Sequence, residues 1–227
     1  WVTNRYLSIF KCASLYNLTI SDGQNKTGDN ETYLREHWEI KNTDVGIKKK
    51  WLHYAKGGQY RKWYGNIYEV INWSDSAISH PACRILKEYL WYRKGITWGI
   101  IAQIGFRVLP EDATFDMQGS SVFVADEKQY NCILAFINSK VAYNLLQIFN
   151  TTLSFQIRDV RNLPYKGSEI QENSDLINEI VDNTISVSKM DWDSFETSWD
   201  FTRHPFVRGQ WLVASDRNTD HCALTTE

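Results

Sequence analysis

Short strand-like runs alternate along this chain with two long helical stripes, and this order restricts the folds that the chain can adopt. Apolar residues at helical spacing run through 128–149 and again through 174–188. Runs of strand length and composition lie at 50–54, 66–73, 96–102, 106–109 and 122–124. Because the elements do not follow the strict alternation of a doubly wound sheet, they predict an α+β fold, with a mixed, largely antiparallel twisted sheet and flanking helices.

Two further segments carry local signals. Pro81 at a first helical position, with Gly95 as a stop, predicts a helix over 81–92. The run 151–163 is predicted to be extended. The apolar face predicted for the helix over 128–149 consists of Ile133, Phe136, Ile137, Val141, Leu145 and Ile148.

The charge of the chain is unevenly distributed. The 227 residues, 43% of them apolar, suffice for one large domain or two small ones, and the formal net charge is −2. Residues 48–63 contain no acid, whereas 169–200 contain nine Asp or Glu and one Lys. This separation predicts a polarised surface rather than a uniformly basic one.

Cysteine usage and hydropathy indicate the compartment. The cysteines Cys12, Cys83, Cys132 and Cys222 lie far apart without a C-x-x-C pair, which favours reduced thiols over a zinc site or a disulfide framework. No run approaches the roughly 18 apolar residues of a membrane span, and the first residues lack the layout of a signal peptide. We therefore expect a cytoplasmic chain with no metal site and no membrane association.

The stretch 48–66 is the strongest candidate for a binding function. It contains six Lys or Arg, five aromatic residues and three glycines, and no carboxylate. Cations bind phosphates and can read guanine edges, aromatic rings stack on bases, and glycine allows the backbone to approach a ligand closely. The alternative is a twisted strand pair with aromatic residues on its buried side and lysines in water. The glycines beside the cations favour nucleic-acid binding, because a merely solvated strand gains nothing from them.

A second cluster, residues 94–98, again places a cation, a glycine, a hydroxyl and an indole side by side. It predicts a second contact loop with Lys94, Thr97 and Trp98. The alternative is that Gly95 only ends a helix and Trp98 is only a strand residue.

Sequence patterns for catalysis are missing. There is no glycine-rich phosphate loop, no H-E-x-x-H and no G-x-S-x-G, and the histidines are isolated. The acidic group Asp191, Asp193 and Glu196 could act in acid–base chemistry, or equally cap a turn or solvate a surface. We expect no catalytic residue in this chain.

Six segments follow one another in a recognisable order: KKW-x-x-Y-x-K-G-G-x-x-R-K-W-Y-G-N from Lys49, V-I-N-W, K-G-I-T-W, A-F-I-N-S-K, T-L-S-F-Q-I-R-D-V-x-x-L-P and D-W-D-S-F-E-T-S-W-D-F. This order, over 48–205, resembles the C-terminal half of the adenine-specific DNA methyltransferases of BREX phage-defence systems. Related patterns occur in type IIG restriction-modification enzymes. The interval between V-I-N-W and K-G-I-T-W departs from the family, because Trp73 and Lys94 are only 21 positions apart.

The resemblance implies the target-recognition region of a longer enzyme, with a fold like that of target-recognition domains. The enzyme would transfer a methyl group from S-adenosylmethionine to the N6 of adenine in double-stranded DNA. The family's glycine-rich cofactor motif and N-P-P-Y motif are absent from this sequence. S-adenosylmethionine is therefore expected for the full-length enzyme and not for this chain. Other components of the phage-defence system are candidate partners.

On this basis we divide the chain into four segments and predict which residues contact DNA. Residues 1–47 would be a linker or helical segment, 48–167 the recognition core, 168–207 a helical acidic segment, and 208–227 a disordered or non-native tail. The residues predicted to contact DNA are Lys56, Gly57, Gly58, Arg61, Lys62, Trp63, Tyr64, Asn66, Lys94, Thr97 and Trp98. The rival is an aromatic-rich module without catalytic activity that binds carbohydrate or protein.

Overall fold

The computed structural model describes residues 8–101, 103–167, 170 and 172–208. The strands are β1 (Thr19–Ile20), β2 (Leu34–Glu36), β3 (Trp51–Ala55), β4 (Ile67–Asn72), β5 (Gly95–Thr97), β6 (Arg107–Leu109), β7 (Ala113–Phe115) and β8 (Ser121–Val124). The α-helices are α1 (Asn30–Tyr33), α2 (Asp75–Ile78), α3 (Tyr130–Ile137), α4 (Lys140–Phe149), α5 (Ile157–Arg161), α6 (Ser174–Trp192) and α7 (Pro205–Arg208). Short 3₁₀ turns lie at Leu15–Asn17, His37–Glu39, Asn42–Asp44, Glu88–Leu90 and Glu127–Gln129.

The strands form two four-stranded sheets, which confirms the α+β class. Sheet A has the order β1-β8-β5-β6, and sheet B has the order β2-β4-β3-β7. The named strands pair antiparallel except β3 and β7, which run parallel. Residues from the segment predicted as a linker supply one strand to each sheet. Between β6 and β8 the chain leaves sheet A, adds β7 to sheet B and returns, so the two sheets are connected by very short links.

Both faces of sheet A are covered. One face packs Ile96, Val108 and Val122 against buried residues of α3, α4 and α6. The other face meets sheet B through a smaller cluster that includes Phe115 and Phe123, whose ring centres are 6.1 Å apart. Successive residues of β8, Val122 and Phe123, belong to the two different clusters, because successive side chains of a strand point to opposite faces of the sheet.

The predicted helix over 128–149 is two helices. The chain bends by 74° between α3 and α4. Ser139 caps α4 by accepting a hydrogen bond from the backbone N–H of Ala142 at 3.1 Å. Because the second helix is rotated by the bend, Ala142 is buried while Val141, from the predicted apolar face, is 59% exposed.

Two other local predictions are wrong. The segment 81–92 has no α-helix and only one 3₁₀ turn, because its backbone is bonded elsewhere: the N–H of Leu86 donates to Oδ1 of Asn25 at 2.8 Å. The segment 151–163 is not extended throughout, since it contains α5. Helix α5 begins with a capping box formed by Gln156 and Asp159.

The helix predicted over 174–188 is confirmed and extends to Trp192, with Asn173 at its N-cap position. Within the described ranges, no single helix is long and apolar enough to cross a membrane, and only the bent pair 127–137 with 140–149 passes the same length and composition criteria when joined. The predicted tail lies, from residue 209 onward, outside the described residues.

Candidate nucleic-acid interface

The predicted binding stretch 48–66 contains the buried strand β3 and, after it, a loop at residues 56–66 that leads to β4. We call this loop the basic loop. Its backbone depends on glycine, because Gly57, Gly58 and Gly65 have φ angles of +94°, +100° and +115°. A Cβ on Gly57 would lie 3.1 Å from the carbonyl oxygen of Gln118. The glycines therefore serve close packing against the protein as well as the turn itself.

Each of the three predicted loop cations has a partner within the protein. Lys56 Nζ lies 3.2 Å from Oε1 of Glu69. Lys62 Nζ donates to the backbone carbonyl of Asn138 at 2.7 Å. Burial, with the nearby charge of Lys140, lowers the pKa of Lys62. These cations are thus used in holding the loop in place.

Arg61 makes the most extensive of these contacts. Its Nη1 donates to Oδ2 of Asp191 at 2.8 Å, and its guanidinium lies 4.9 Å from the ring centre of Trp192. Both partners lie at the end of α6. The acidic segment recognised in the sequence therefore lies against the basic stretch and offsets part of its charge.

A buried arginine beneath the loop was missed in the sequence. Arg107 on β6 is 2% exposed, and its guanidinium donates to the carbonyl oxygens of Gly57 at 3.2 Å and of Arg61 and Gly105 at 3.4 Å. Burial lowers its pKa to about 10, with Arg61 adding to the effect, so it stays charged at neutral pH. Arg107 thus holds the basic loop at two positions, Gly57 and Arg61. The signal in the sequence that could have indicated a buried arginine is the charged residue in an otherwise apolar strand.

Two aromatic residues of the loop, Trp63 and Tyr64, are half-buried. Trp63 has a φ of +72° and is held by backbone bonds with Phe106 and Val108, of 2.8 and 2.9 Å. Tyr64 packs against the core under Lys189, whose Nζ lies 5.3 Å from the ring centre, and burial raises the pKa of the Tyr64 hydroxyl. These rings support the loop and are not free platforms for stacking.

Asn66 is inside the protein. It is 2% exposed, and its Nδ2 donates to the carbonyl oxygen of Gln59 at 2.6 Å. The side chain therefore closes the basic loop on itself. The exposed part of the loop is its tip, Gly58–Tyr60, where Tyr60 is 46% exposed.

The second predicted contact cluster is mostly core. Thr97 and Trp98 are 1% and 0% exposed, because β5 is a central strand of sheet A. Thr97 Oγ1 donates to the carbonyl oxygen of Gly119 at 3.0 Å, and Trp98 Nε1 donates to that of Phe155 at 3.0 Å. The prediction that these two side chains contact DNA directly is therefore corrected, because both are buried and bonded to the backbone of the protein. Lys94 is exposed, with Nζ 4.2 Å from the ring centre of Tyr130.

The segments that carry the family resemblance converge on the basic loop. Gly99, after K-G-I-T-W, lies against Gly57 and Gly58, since a Cβ on it would be 3.7 Å from the carbonyl oxygen of Gly58. Asn138 of A-F-I-N-S-K accepts from Lys62, and the D-W-D segment packs on Arg61. Five of the six segments thus meet through these contacts and the bond from Trp98 to Phe155.

Two members of the acidic group considered for catalysis, Asp191 and Asp193, are used in ion pairs. Lys189 Nζ lies 2.5 Å from Oδ2 of Asp193 and of Asp200, and Ser198 Oγ donates to Asp193 at 2.6 Å. Burial disfavours the charge of Lys189, but the hydrogen bonds to both carboxylates outweigh it and raise its pKa. Among the described residues, His, Cys, Asp and Glu form no cluster of three that could hold a metal ion.

Two curated proteins are similar to most of this chain. Over 225 residues it is 32% identical to the adenine-specific methyltransferase PglX of Lacticaseibacillus casei (strain Zhang), covering 89% of this chain and 18% of that protein. Over 224 residues it is 30% identical to the adenine-specific methyltransferase BrxX of Escherichia coli O9:H4 (strain HS), covering 94% of this chain and 18% of that protein. No protein-family model matches. The chain is thus related to adenine-specific methyltransferases of the BREX type and spans less than a fifth of their length.

Proposed function

We propose that this chain is a DNA target-recognition region that positions duplex DNA for N6-adenine methylation by a catalytic part outside it. The observation that carries the proposal is the alignment of nearly the whole chain with 18% of two adenine-specific methyltransferases. The sequence lacks the glycine-rich and N-P-P-Y motifs expected of the catalytic part. The function assigned to this piece is therefore substrate positioning, in the cytoplasm and within a phage-defence system whose other components are further partners.

The geometry supports a rigid positioning surface. The basic loop is held by a buried arginine, by the end of α6 and by the turn between α3 and α4. Rigid placement of DNA-contacting loops reduces the conformational entropy lost on binding. Of the predicted contact set, Gly58 at the loop tip and Lys94 are exposed and so can be reached by a duplex. Tyr60, also at the tip and outside that set, is exposed as well.

S-adenosylmethionine is proposed to bind the full-length enzyme elsewhere. Such a cofactor needs a site with close backbone approach, commonly a glycine-rich turn between a strand and a helix. In the described part of the chain the positive-φ glycines of the basic loop join two strands rather than a strand and a helix, so they do not fit this group. We assign no residue of this chain to the cofactor.

Duplex binding tests the proposal. Fluorescence anisotropy of a labelled duplex with the 227-residue chain, measured from 50 to 300 mM salt, should give a falling affinity. The slope of log affinity against log salt should be about −0.9 for each phosphate contacted. A flat response would favour the rival, stacking of aromatic residues on carbohydrate, and absence of binding would refute DNA recognition by this chain.

Methyl transfer separates positioning from chemistry. The isolated chain, incubated with tritiated S-adenosylmethionine and duplex DNA, should incorporate no label above the background without protein. Full-length enzyme is the positive control. Incorporation by the isolated chain would show that it contains catalytic residues and would overturn the assignment.

A further inference from the structure

A cleft of about 710 Å³ lies beside the basic loop, outside the predicted contact set. Its described lining residues are Tyr16, Ser21, Gly23, Gln24, Lys26, Arg84, Ile85, Met117, Ile157, Arg158 and Arg161. Four of these residues are cations, and none of the described ones carries a carboxylate. Walls of one charge sign around a concave surface concentrate the field that attracts an anion.

Two of the cations face each other across a backbone bridge. Lys26 and Arg84 exchange both backbone hydrogen bonds, each at 2.9 Å, and so stand directly opposite in an antiparallel pair. Like charges in this position repel. Both side chains are exposed, and in the described part of the chain neither has an ion pair. An anion held between them would relieve the repulsion.

The opposite wall comes from α5. Arg158 is exposed and, within the described ranges, its side chain has no ion pair or hydrogen bond. Arg161 donates through Nη2 to the carbonyl oxygens of Tyr16 at 3.1 Å and Thr19 at 2.8 Å, and its guanidinium lies 4.0 Å from the Tyr16 ring centre. Arg161 therefore fixes the wall, and Arg158 is available to a ligand.

Three carboxylates are next to lining residues in the chain, and one of them, Asp116, accepts from the backbone N–H of the lining residue Met117 at 2.6 Å. Asp22 accepts a hydrogen bond from the hydroxyl of Tyr89 at 2.9 Å. Asp159 accepts from Nδ2 of Asn150 at 2.8 Å and from the backbone N–H of Gln156 at 3.0 Å. Within the described ranges, none of these carboxylates forms an ion pair with the four cations of the cleft.

The cleft adjoins the basic loop through the turn between β7 and β8. Met117 lines the cleft and is 46% exposed, and the next residue, Gln118, packs its carbonyl oxygen against Gly57. The exposed tip begins at the next residue, Gly58, so the basic loop and the cleft are neighbours in the fold. A polyanion of extended shape fits this continuity better than a small isolated anion.

We propose that this cleft binds the phosphodiester backbone of the duplex, through Lys26, Arg84 and Arg158. The assignment rests on the proposed DNA-recognition function and moves the main phosphate contacts away from the predicted loop cations. Backbone contacts of this kind fix register and orientation without reading sequence. Base readout would then fall to the neighbouring loop tip.

The test compares the salt dependence of duplex binding between matched variants of the 227-residue chain. Lys26→Gln, Arg84→Gln and Arg158→Gln combined should make the slope of log affinity against log salt shallower by roughly 2–3, since each lost phosphate contact removes about 0.9. The control combines Lys41→Gln, Lys128→Gln and Arg203→Gln, which are also exposed and do not line the cleft. It should keep the wild-type slope to within about one contact.

Folding and charge identity are controlled separately. All variants should show the circular dichroism and thermal unfolding of the wild type, because the substituted side chains are exposed. The charge-preserving combination Lys26→Arg and Arg84→Lys should retain the wild-type slope.

The possible outcomes distinguish failure of the cleft assignment from failure of the recognition function. If the wild type binds the duplex and the cleft variant keeps the same slope, the cleft assignment is overturned and the recognition function stands. If the wild type fails to bind the duplex, both are overturned. If inorganic pyrophosphate binds the cleft and affinity for DNA does not change with duplex length, the cleft holds a small phosphate and the duplex assignment is overturned.

Discussion

Arg61 and Asp191 meet across 130 positions of the chain, with Nη1 donating to Oδ2 at 2.8 Å. The contact joins the basic loop to the end of α6. A residue that the sequence marks as a DNA contact thus has an acidic partner in the folded chain. The acidic and basic segments, which suggested a polarised surface, are partly paired with each other.

Removing this ion pair should cost little stability. In a double-mutant cycle with Arg61→Met and Asp191→Asn, we expect a coupling free energy of about 0.5–1 kcal/mol, because the pair is partly exposed. Urea unfolding at low and high salt measures it, and the coupling should shrink at high salt. A coupling of several kcal/mol would contradict the exposed, screened geometry.

Asn138 should be among the most sensitive polar positions. It is 7% exposed, and its amide both accepts from the N–H of Phe106 at 3.1 Å and donates to the carbonyl of Phe106 at 3.0 Å. Asn138→Ala leaves the buried N–H of Phe106 unpaired and removes one of the two hydrogen bonds to its carbonyl, which still accepts from Trp63, so it should lower the free energy of unfolding by about 2–3 kcal/mol. Asn131→Ala, which removes only a surface bond to Asp182, is the control and should cost less than about 1 kcal/mol. Equal losses in the two variants would disprove the bridging role.

Gly99 and Gly105 do not have positive φ angles. Substituting them therefore tests close packing and not the conformational freedom of the backbone. A Cβ on Gly105 would overlap the carbonyl oxygen of Arg61, whereas a Cβ on Gly99 finds its nearest atom at 3.7 Å. Gly105→Ala should therefore lower the free energy of unfolding by about 1–3 kcal/mol, and Gly99→Ala by much less. Chemical denaturation of the two variants measures the difference, and a tolerated Gly105→Ala would show that the loop can move away.

Stability should fall in mild acid because of His53. The ring lies on β3, 6% exposed, with Nε2 3.7 Å from Asp112 and its centre 4.8 Å from that of Trp199. Burial lowers the pKa of His53, although Asp112 opposes the shift. The unfolded chain then binds the proton more readily, so stability is present above the ordinary histidine pKa near 6.5 and is lost as pH falls below it.

The variant His53→Phe should flatten this dependence. Urea midpoints at pH 7, 6 and 5 should decline less in the variant than in the wild type. His80→Gln, at a surface turn, is the matched control and should follow the wild type. Parallel declines in all three proteins would assign the acid sensitivity to other groups.

Local patterns predicted the class of fold and many of the strands, but not the long-range bonds that reshape helices. The apolar stripe over 128–149 correctly indicated helix. The bend follows from Asn138, whose side chain bonds to Phe106, 32 positions away. Likewise the apolar residues of 81–92 have helical spacing, but the N–H of Leu86 donates its hydrogen bond to the side chain of Asn25. Tertiary hydrogen bonds of this kind override local propensity.

The candidate site was predicted only in part. Charge and glycine content identified the loop, because both are local properties. They could not show that Arg61 and Lys62 have partners, or that Thr97 lies in a central strand, because burial depends on the whole fold. The cleft was missed because its cations come from segments 58 positions apart, at Lys26 and Arg84, and again from Arg158.

The short links around β7 have a mechanical consequence. Because the chain crosses from sheet A to sheet B and back between residues 109 and 121, the two sheets cannot separate or tilt without breaking strand pairs. Under the proposed function, a duplex that contacts both the loop tip and the cleft would have to adapt to the fixed distance between them. The elastic cost falls on the DNA, so base steps that bend easily would be favoured even where no side chain touches a base.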